Sequence, residues 1–194
     1  MAKNLTKNDW LRAARLALLK GGVGDVRVDA LARNLGVTKG SFYWHFGGHD
    51  ELLEALLREW EEELREILTH LKHKKTSRPL IALVQELADR ARLSEEGLSP
   101  SDAAIFSWAA TSAEVARRVN RVEEQRMKLL KRMIPDAGRA ELFYLIWLGF
   151  VSRGQREPAS RVCFIEVART ALKLLRPAER GSRRRRPIRR SMRA

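Results

Sequence analysis

Between residues 52 and 71 the chain places apolar side chains at Leu52, Leu53, Leu56, Trp60, Leu64, Ile67, Leu68 and Leu71. Steps of three and four keep such residues on one side of an α-helix, whereas a strand would need steps of two. A helix from residue 49 to about 74 is roughly 39 Å long at ~1.5 Å per residue, so it reaches from a small N-terminal unit deep into whatever follows. The same period recurs along the chain, and no stretch alternates convincingly, so the fold is expected to be all-α. A first helix carries Trp10, Ala13, Ala14, Ala17 and Leu18, with Asn8 or Asp9 as its cap, and stops before Gly21-Gly22-Val23-Gly24. Short helices follow at 28–35 and 39–45, the second capped by Thr38. Beyond the long helix, the spacing predicts helices over 79–93, 102–111, 113–133, 139–153 and 158–176, about nine in total.

The formal net charge of +14 sits mostly at the two ends: residues 1–50 carry +4 and residues 177–194 carry +7, leaving +3 for the 126 residues between. That concentration favours a polyanionic partner, nucleic acid before acidic membrane. The longest apolar run, residues 142–151, is too short to cross a bilayer, and residues 1–7 lack the apolar core of a signal peptide. The single cysteine, Cys163, is expected to be a small core residue and excludes an intramolecular disulfide. A soluble, cytoplasmic protein is the expectation.

The informative stretch is residues 27–46. Leu31, Leu35, Val37, Phe42 and Phe46 are spaced to bury against one another, and Gly36 permits a sharp turn between two helices. Lys39, Ser41, Tyr43, Trp44 and His45 are left facing outward, on a helix short enough to enter a DNA major groove about 12 Å wide. The run Gly36-Val37-Thr38-Lys39-Gly40-Ser41-Phe42-Tyr43-Trp44-His45-Phe46, followed by Asp50-Glu51-Leu52-Leu53, closely resembles the recognition helix and following helix of the TetR family of bacterial transcription regulators.

The resemblance implies a helix-turn-helix DNA-binding domain over residues 4–64, with its motif at 27–46, and a helical ligand-binding and dimerisation domain over 65–176. An Arg-rich tail, 177–194, is expected to be disordered. It further implies that Lys39 and Ser41 touch base edges, that Thr38, Tyr43 and His45 hold phosphates, and that Trp44 packs on sugars or a thymine methyl. Two residues depart from the family pattern. Arg27 stands where Ser or Thr usually caps the second helix, and still reaches a phosphate. His49 replaces a common lysine at the start of the long helix, making that positive charge pH-dependent. Asp29, on the same side, either reads a cytosine amino group or lies clear of the duplex.

The resemblance also implies a homodimer through helices 139–153 and 158–176, whose apolar faces carry Leu142, Leu145, Ile146, Leu148 and Phe150, and Val162, Ile165, Ala168, Leu172 and Leu175. Arg139, Arg153, Arg156, Arg161 and Arg169 would form its rim. A small-molecule effector pocket is read at Trp60, Phe106, Trp108, Phe143, Tyr144 and Trp147. No charge in these helices stands out as buried, so no ligand class is named. His45 and His49 are four apart, but Gly47-Gly48 break their shared face, and His70 with His73 make only two ligands. Neither metal nor cofactor is expected, and no phosphate loop, nucleophile elbow or acid–base pair suggests an enzyme. The reading is a dimeric, ligand-responsive repressor on a palindromic double-stranded DNA operator. The alternative is a non-specific basic DNA-binding or architectural protein driven by arginines 183–190.

Overall fold

The computed structural model describes residues 5–74, 77–156 and 164–174, and among them only helices. Helix α1 spans Lys7–Gly21, a 3₁₀ turn Val23–Asp25, α2 Val28–Leu35 and a 3₁₀ helix Lys39–Trp44. Then come α3 (His49–His73), α4 (Pro79–Glu95), α5 (Asp102–Ala109), α6 (Ala113–Met133), α7 (Ala137–Arg156) and α8 (Phe164–Leu174). Counted with the 3₁₀ helix at Lys39–Trp44, these are the nine helical segments expected. Residues 158–163 and 175–176 of the expected last helix, with Arg161, Val162, Cys163 and Leu175, lie outside the described residues, as does the tail 177–194.

Two expected caps are corrected. Thr6, rather than Asn8 or Asp9, caps α1: its Oγ1 accepts from the Asp9 amide at 3.3 Å, while its own amide donates to the Asp9 carboxylate at 2.7 Å. A reciprocal pair satisfies two otherwise orphaned amides, which a single cap does not. Thr38 has the extended backbone of a cap, but its side chain makes no capping bond.

The apolar side chains form two cores. The first gathers Trp10, Leu31, Phe42, Phe46, Leu52 and Trp60 from the N-terminal helices, together with Ile105, Trp108, Val115, Val119 and Val122 from α5 and the first half of α6. The second joins Ile67 and Leu71 at the far end of α3 to α4, the end of α6, α7 and α8, through Leu83, Leu130, Phe143, Trp147, Phe164 and Ala168. The division falls on α3 between Trp60 and Ile67. It does not fall between α3 and everything after it, however. α5 and half of α6 are packed into the N-terminal core, so the two halves of the chain share helices as well as surface.

Ion pairs reinforce this sharing. Arg118 of α6 lies 2.7 Å from Glu61 and 2.5 Å from Glu54 on α3, and these bonds hold its guanidinium firmly charged. Arg15 of α1, buried, donates to the Gly97 carbonyl at 2.7 Å and to Glu59 at 2.6 Å. Gly97 itself has φ +68°, and a Cβ there would lie 2.7 Å from Leu16 Cγ. Only glycine permits both the left-handed backbone and so close an approach of the α4–α5 loop to α1.

Candidate nucleic-acid interface and regulatory cavity

The turn between α2 and the 3₁₀ helix is made by Gly36 in the left-handed region, with φ 71°. Phe42 then anchors the 3₁₀ helix. It is fully buried, edge-on to Trp10 at 5.3 Å and stacked on Phe46 at 5.3 Å. With Phe42 held inward, the next two residues are turned out: Tyr43 is 56% exposed and Trp44 88%. The indole of Trp44 is thus left almost wholly in solvent. Arg27, Thr38 and Lys39 are also exposed, while Ser41 and His45 are half-buried. Arg27 makes no capping bond to α2.

Lys39 is not free. Its Nζ lies 3.0 Å from Asp29 Oδ1, and the hydrogen bond and charge of Asp29 raise its pKa above the usual lysine value. The acidic residue thus faces a cation of its own surface. His49 is also engaged: its Nε2 lies 2.5 Å from the Val26 carbonyl, and Nδ1 3.7 Å from Asp50. Since a carbonyl only accepts, Nε2 carries the proton. The ring ties the start of α3 to the segment before α2, and that nitrogen is turned to the protein rather than to a phosphate.

A second feature lies between the two cores. A cavity of about 450 Å³ is bounded by Leu19 and Lys20 at the end of α1, Glu63 of α3, Leu87, Arg90 and Ala91 of α4, the start of α5, Arg126 of α6, and Trp147, Phe150 and Val151 of α7. Its size suits a small molecule. Of the six aromatics expected to line a pocket, Trp147 alone is on this wall. Trp60, Trp108, Phe143 and Tyr144 are core residues, and Phe106 packs against Trp60 at 6.3 Å. Aromatics at helical spacing fill the space between helices more readily than they leave it open.

The expectation of no buried charge is corrected as well. Asp102, buried at the start of α5, accepts from the indole N–H of Trp60 at 2.7 Å and of Trp147 at 2.8 Å, with Arg126 Nη1 2.8 Å away. Glu63, also buried, accepts from the Ser99 hydroxyl at 2.9 Å and from Arg90 at 3.3 Å. Burial, with the charge of Asp102 adding, pushes the Glu63 carboxyl up to about 7. The guanidinium of Arg126 stays charged because Asp102 and Glu63 outweigh the cost of its burial. Tyr144 donates to Glu123 at 3.0 Å, and burial raises its phenol. A signal existed for two of these groups: Glu63 and Arg126 interrupt the apolar faces of Trp60–Leu64–Ile67 and Val122–Leu130 at helical steps.

Residues 11–56 match the family described as bacterial regulatory proteins, tetR family. This N-terminal segment is similar to the TetR family. The match covers the TetR-type unit: α1, α2, the 3₁₀ helix and the start of α3. Over 52 residues, 27% of this chain and 24% of the relative, it is 42% identical to the HTH-type transcriptional regulator SrpR of Pseudomonas putida. Over 66 residues, 34% of this chain and 30% of the relative, it is 38% identical to the HTH-type transcriptional regulator TtgR, also of Pseudomonas putida. The alignments thus span a quarter to a third of these relatives. The fold is similar along most of the chain to a transcriptional regulator of Rhodococcus sp. Rha1 (TM-score 0.62, 21% identity, 88% of this chain and 95% of that one). It is likewise similar to the fatty acid degradation regulator FadR of Bacillus halodurans (TM-score 0.64, 16% identity, 92% and 98%). Among the described residues, no helix is long and apolar enough to cross a membrane, and no group of His, Cys, Asp or Glu is arranged to hold a metal ion.

Proposed function

We propose that this TetR-type chain is a transcriptional regulator that binds a palindromic double-stranded DNA operator as a homodimer and is released from it by a small-molecule effector. The observation that carries the DNA reading is the pairing of a buried Phe42 with an exposed Tyr43 and Trp44 on the 3₁₀ helix. One rigid anchor holds a cationic and aromatic face outward, as a groove-reading element requires. Lys39 and Ser41 are assigned to base edges; Arg27, Thr38, Tyr43 and His45 to phosphates; and Trp44 to sugar or thymine methyl. His49 takes a positioning role, since its Nε2 is held by Val26.

Self-association is supported by Leu142 and Leu145, two large apolar side chains of α7 that are about half exposed. Packing α7 and α8 against their two-fold copies would cover them. Effector control is supported by the cavity wall, which includes the end of α1 from the DNA-binding unit and Trp147 from the dimerising helix. A ligand that fits one spacing of the two DNA-binding units better than another shifts operator affinity by that difference. Gel-shift titration tests the DNA reading. Lys39→Ala and Tyr43→Ala should each abolish selective binding while leaving the dimer folded, and an unchanged affinity in both overturns it. Truncation after residue 176 should retain selectivity; loss of most affinity would favour a non-specific basic DNA-binding protein.

A further inference from the structure

We propose that the cavity takes a lipophilic carboxylate, an apolar body bearing one acidic group that is received by Arg126 and Glu63. The inference rests on the reading of the cavity as an effector site and adds the class of ligand.

The apolar part of the wall is Leu19, Leu87 and Val151 with the rings of Trp147 and Phe150, which stack 6.0 Å apart. Such a surface receives a hydrocarbon or aryl body. Among the buried polar groups, the acceptors are occupied. Asp102 takes the Trp60 indole on Oδ1 and the Trp147 indole on Oδ2. Arg90 is occupied as well, by Glu86, Glu66 and Oε1 of Glu63. Arg126 is not. Its Nη1 lies 2.8 Å from Asp102 Oδ1, yet it is buried without an aligned hydrogen bond among the described residues. Its Nη2 comes no nearer than 3.8 Å to Glu63 Oε2, beyond hydrogen-bond range. A buried guanidinium with N–H groups to spare holds a carboxylate more strongly than a neutral acceptor.

Glu63 supplies the second donor. Burial and the charge of Asp102 favour its neutral form. With Glu63 neutral, the buried charges pair as Arg126 with Asp102 and Arg90 with Glu86, while the exposed Lys20 and Glu95 of the wall offset one another. The wall then holds no excess of acid, and its donors decide what it binds. Because Oε1 accepts from Ser99 and Arg90, the acid proton sits on Oε2 and is free to donate. That hydroxyl and the Arg126 guanidinium converge on one incoming carboxylate. The charged groups facing Glu63 are Arg90 from α4, Asp102 from α5 and Arg126 from α6. Glu59 and Glu66 of its own helix and Arg15 of α1 line a neighbouring hollow with it. An anion beside Glu63 holds its proton more tightly, so affinity falls as pH rises through about 7 and the acid ionises.

The test uses three probes with one apolar body: biphenyl-4-carboxylate, biphenyl-4-carboxamide and biphenyl-4-ylmethylamine, titrated calorimetrically into the full chain at pH 6, 7 and 8. At pH 6 the carboxylate should bind at least about tenfold more tightly than the other two, and by pH 8 it should weaken about tenfold while the carboxamide does not. In Glu63→Gln, whose amide still donates, the carboxylate should remain preferred with no such pH dependence. In Arg126→Gln it should bind no better than the carboxamide. An amine that binds best, a carboxamide that equals the carboxylate, or a carboxylate affinity that holds from pH 6 to 8 overturns the assignment and leaves the effector cavity standing. Failure of all three to bind at millimolar concentration removes the cavity reading and the assignment together. The wild-type series decides the matter even if neither variant folds.

Discussion

Lys39, the first residue of the outward-facing 3₁₀ helix, holds its ammonium 3.0 Å from the carboxylate of Asp29 on α2. Both side chains are more than half exposed, so the pair contributes little to the fold. On the proposed function its consequence is for recognition: the lysine is pre-positioned, and the acid that would repel phosphates is neutralised at short range. Asp29→Asn should therefore leave the melting temperature unchanged, tighten binding to non-specific duplex, and steepen the salt dependence by about one phosphate contact. Gel shifts across a salt series measure this, and weaker non-specific binding would contradict the assignment.

Neighbouring residues should separate fold from function. Phe42→Ala removes a fully buried ring in contact with Trp10 and Phe46, and should cost about 3–5 kcal/mol in urea unfolding. Trp44→Ala, at an 88% exposed position, should change stability by less than about 0.5 kcal/mol yet weaken operator binding by tenfold or more. A Trp44→Ala variant that unfolds easily, or that binds DNA normally, contradicts this division.

The α4–α5 loop is fastened to α1 at Gly97. Gly97→Ala places a methyl 2.7 Å from Leu16 on a left-handed backbone, and should destabilise the chain by about 1–3 kcal/mol. Because Arg15 holds the Gly97 carbonyl, the loop should also gain protease sensitivity. Stability equal to wild type would show that the loop is not fixed this way.

Stability should also respond to pH through Glu63. Its folded pKa, about 7, is raised above the ordinary value of 4.5, so the folded state keeps the proton where the unfolded chain releases it. The contribution is fully present below about pH 4.5 and is lost as pH rises through 7. Wild type should thus lose on the order of 1–3 kcal/mol relative to Glu63→Gln between pH 5 and 8, measured by denaturant titration at each pH. A constant difference between the two proteins would contradict a buried, uncharged Glu63.

Much of this was legible in the residues. The three-and-four spacing of Leu52 to Leu71 predicts α3, observed as His49–His73, and Gly36 marks the turn before the 3₁₀ helix. The outward face at Tyr43 and Trp44 follows from burying Phe42 and Phe46. The cavity was not legible, because an apolar period records that a face is buried and not whether its neighbour touches it. Trp60 and Trp147 are both buried core residues that donate to Asp102, yet only Trp147 also borders the void. Asp102 was hidden for a different reason. An acid in the first turn of a helix is ordinarily explained by the helix dipole, and only the three-dimensional packing brings Trp60, Trp147 and Arg126 onto it.

The central claim is that the face from Lys39 to Trp44 reads a DNA sequence. Selection of duplexes from a random library by the purified full chain tests it most directly. The account predicts enrichment of one inverted repeat with half-sites about one helical turn apart, lost when Lys39 and Tyr43 are replaced by alanine. Recovery of no preferred sequence, or of the same sequence by the doubly substituted protein, would contradict it.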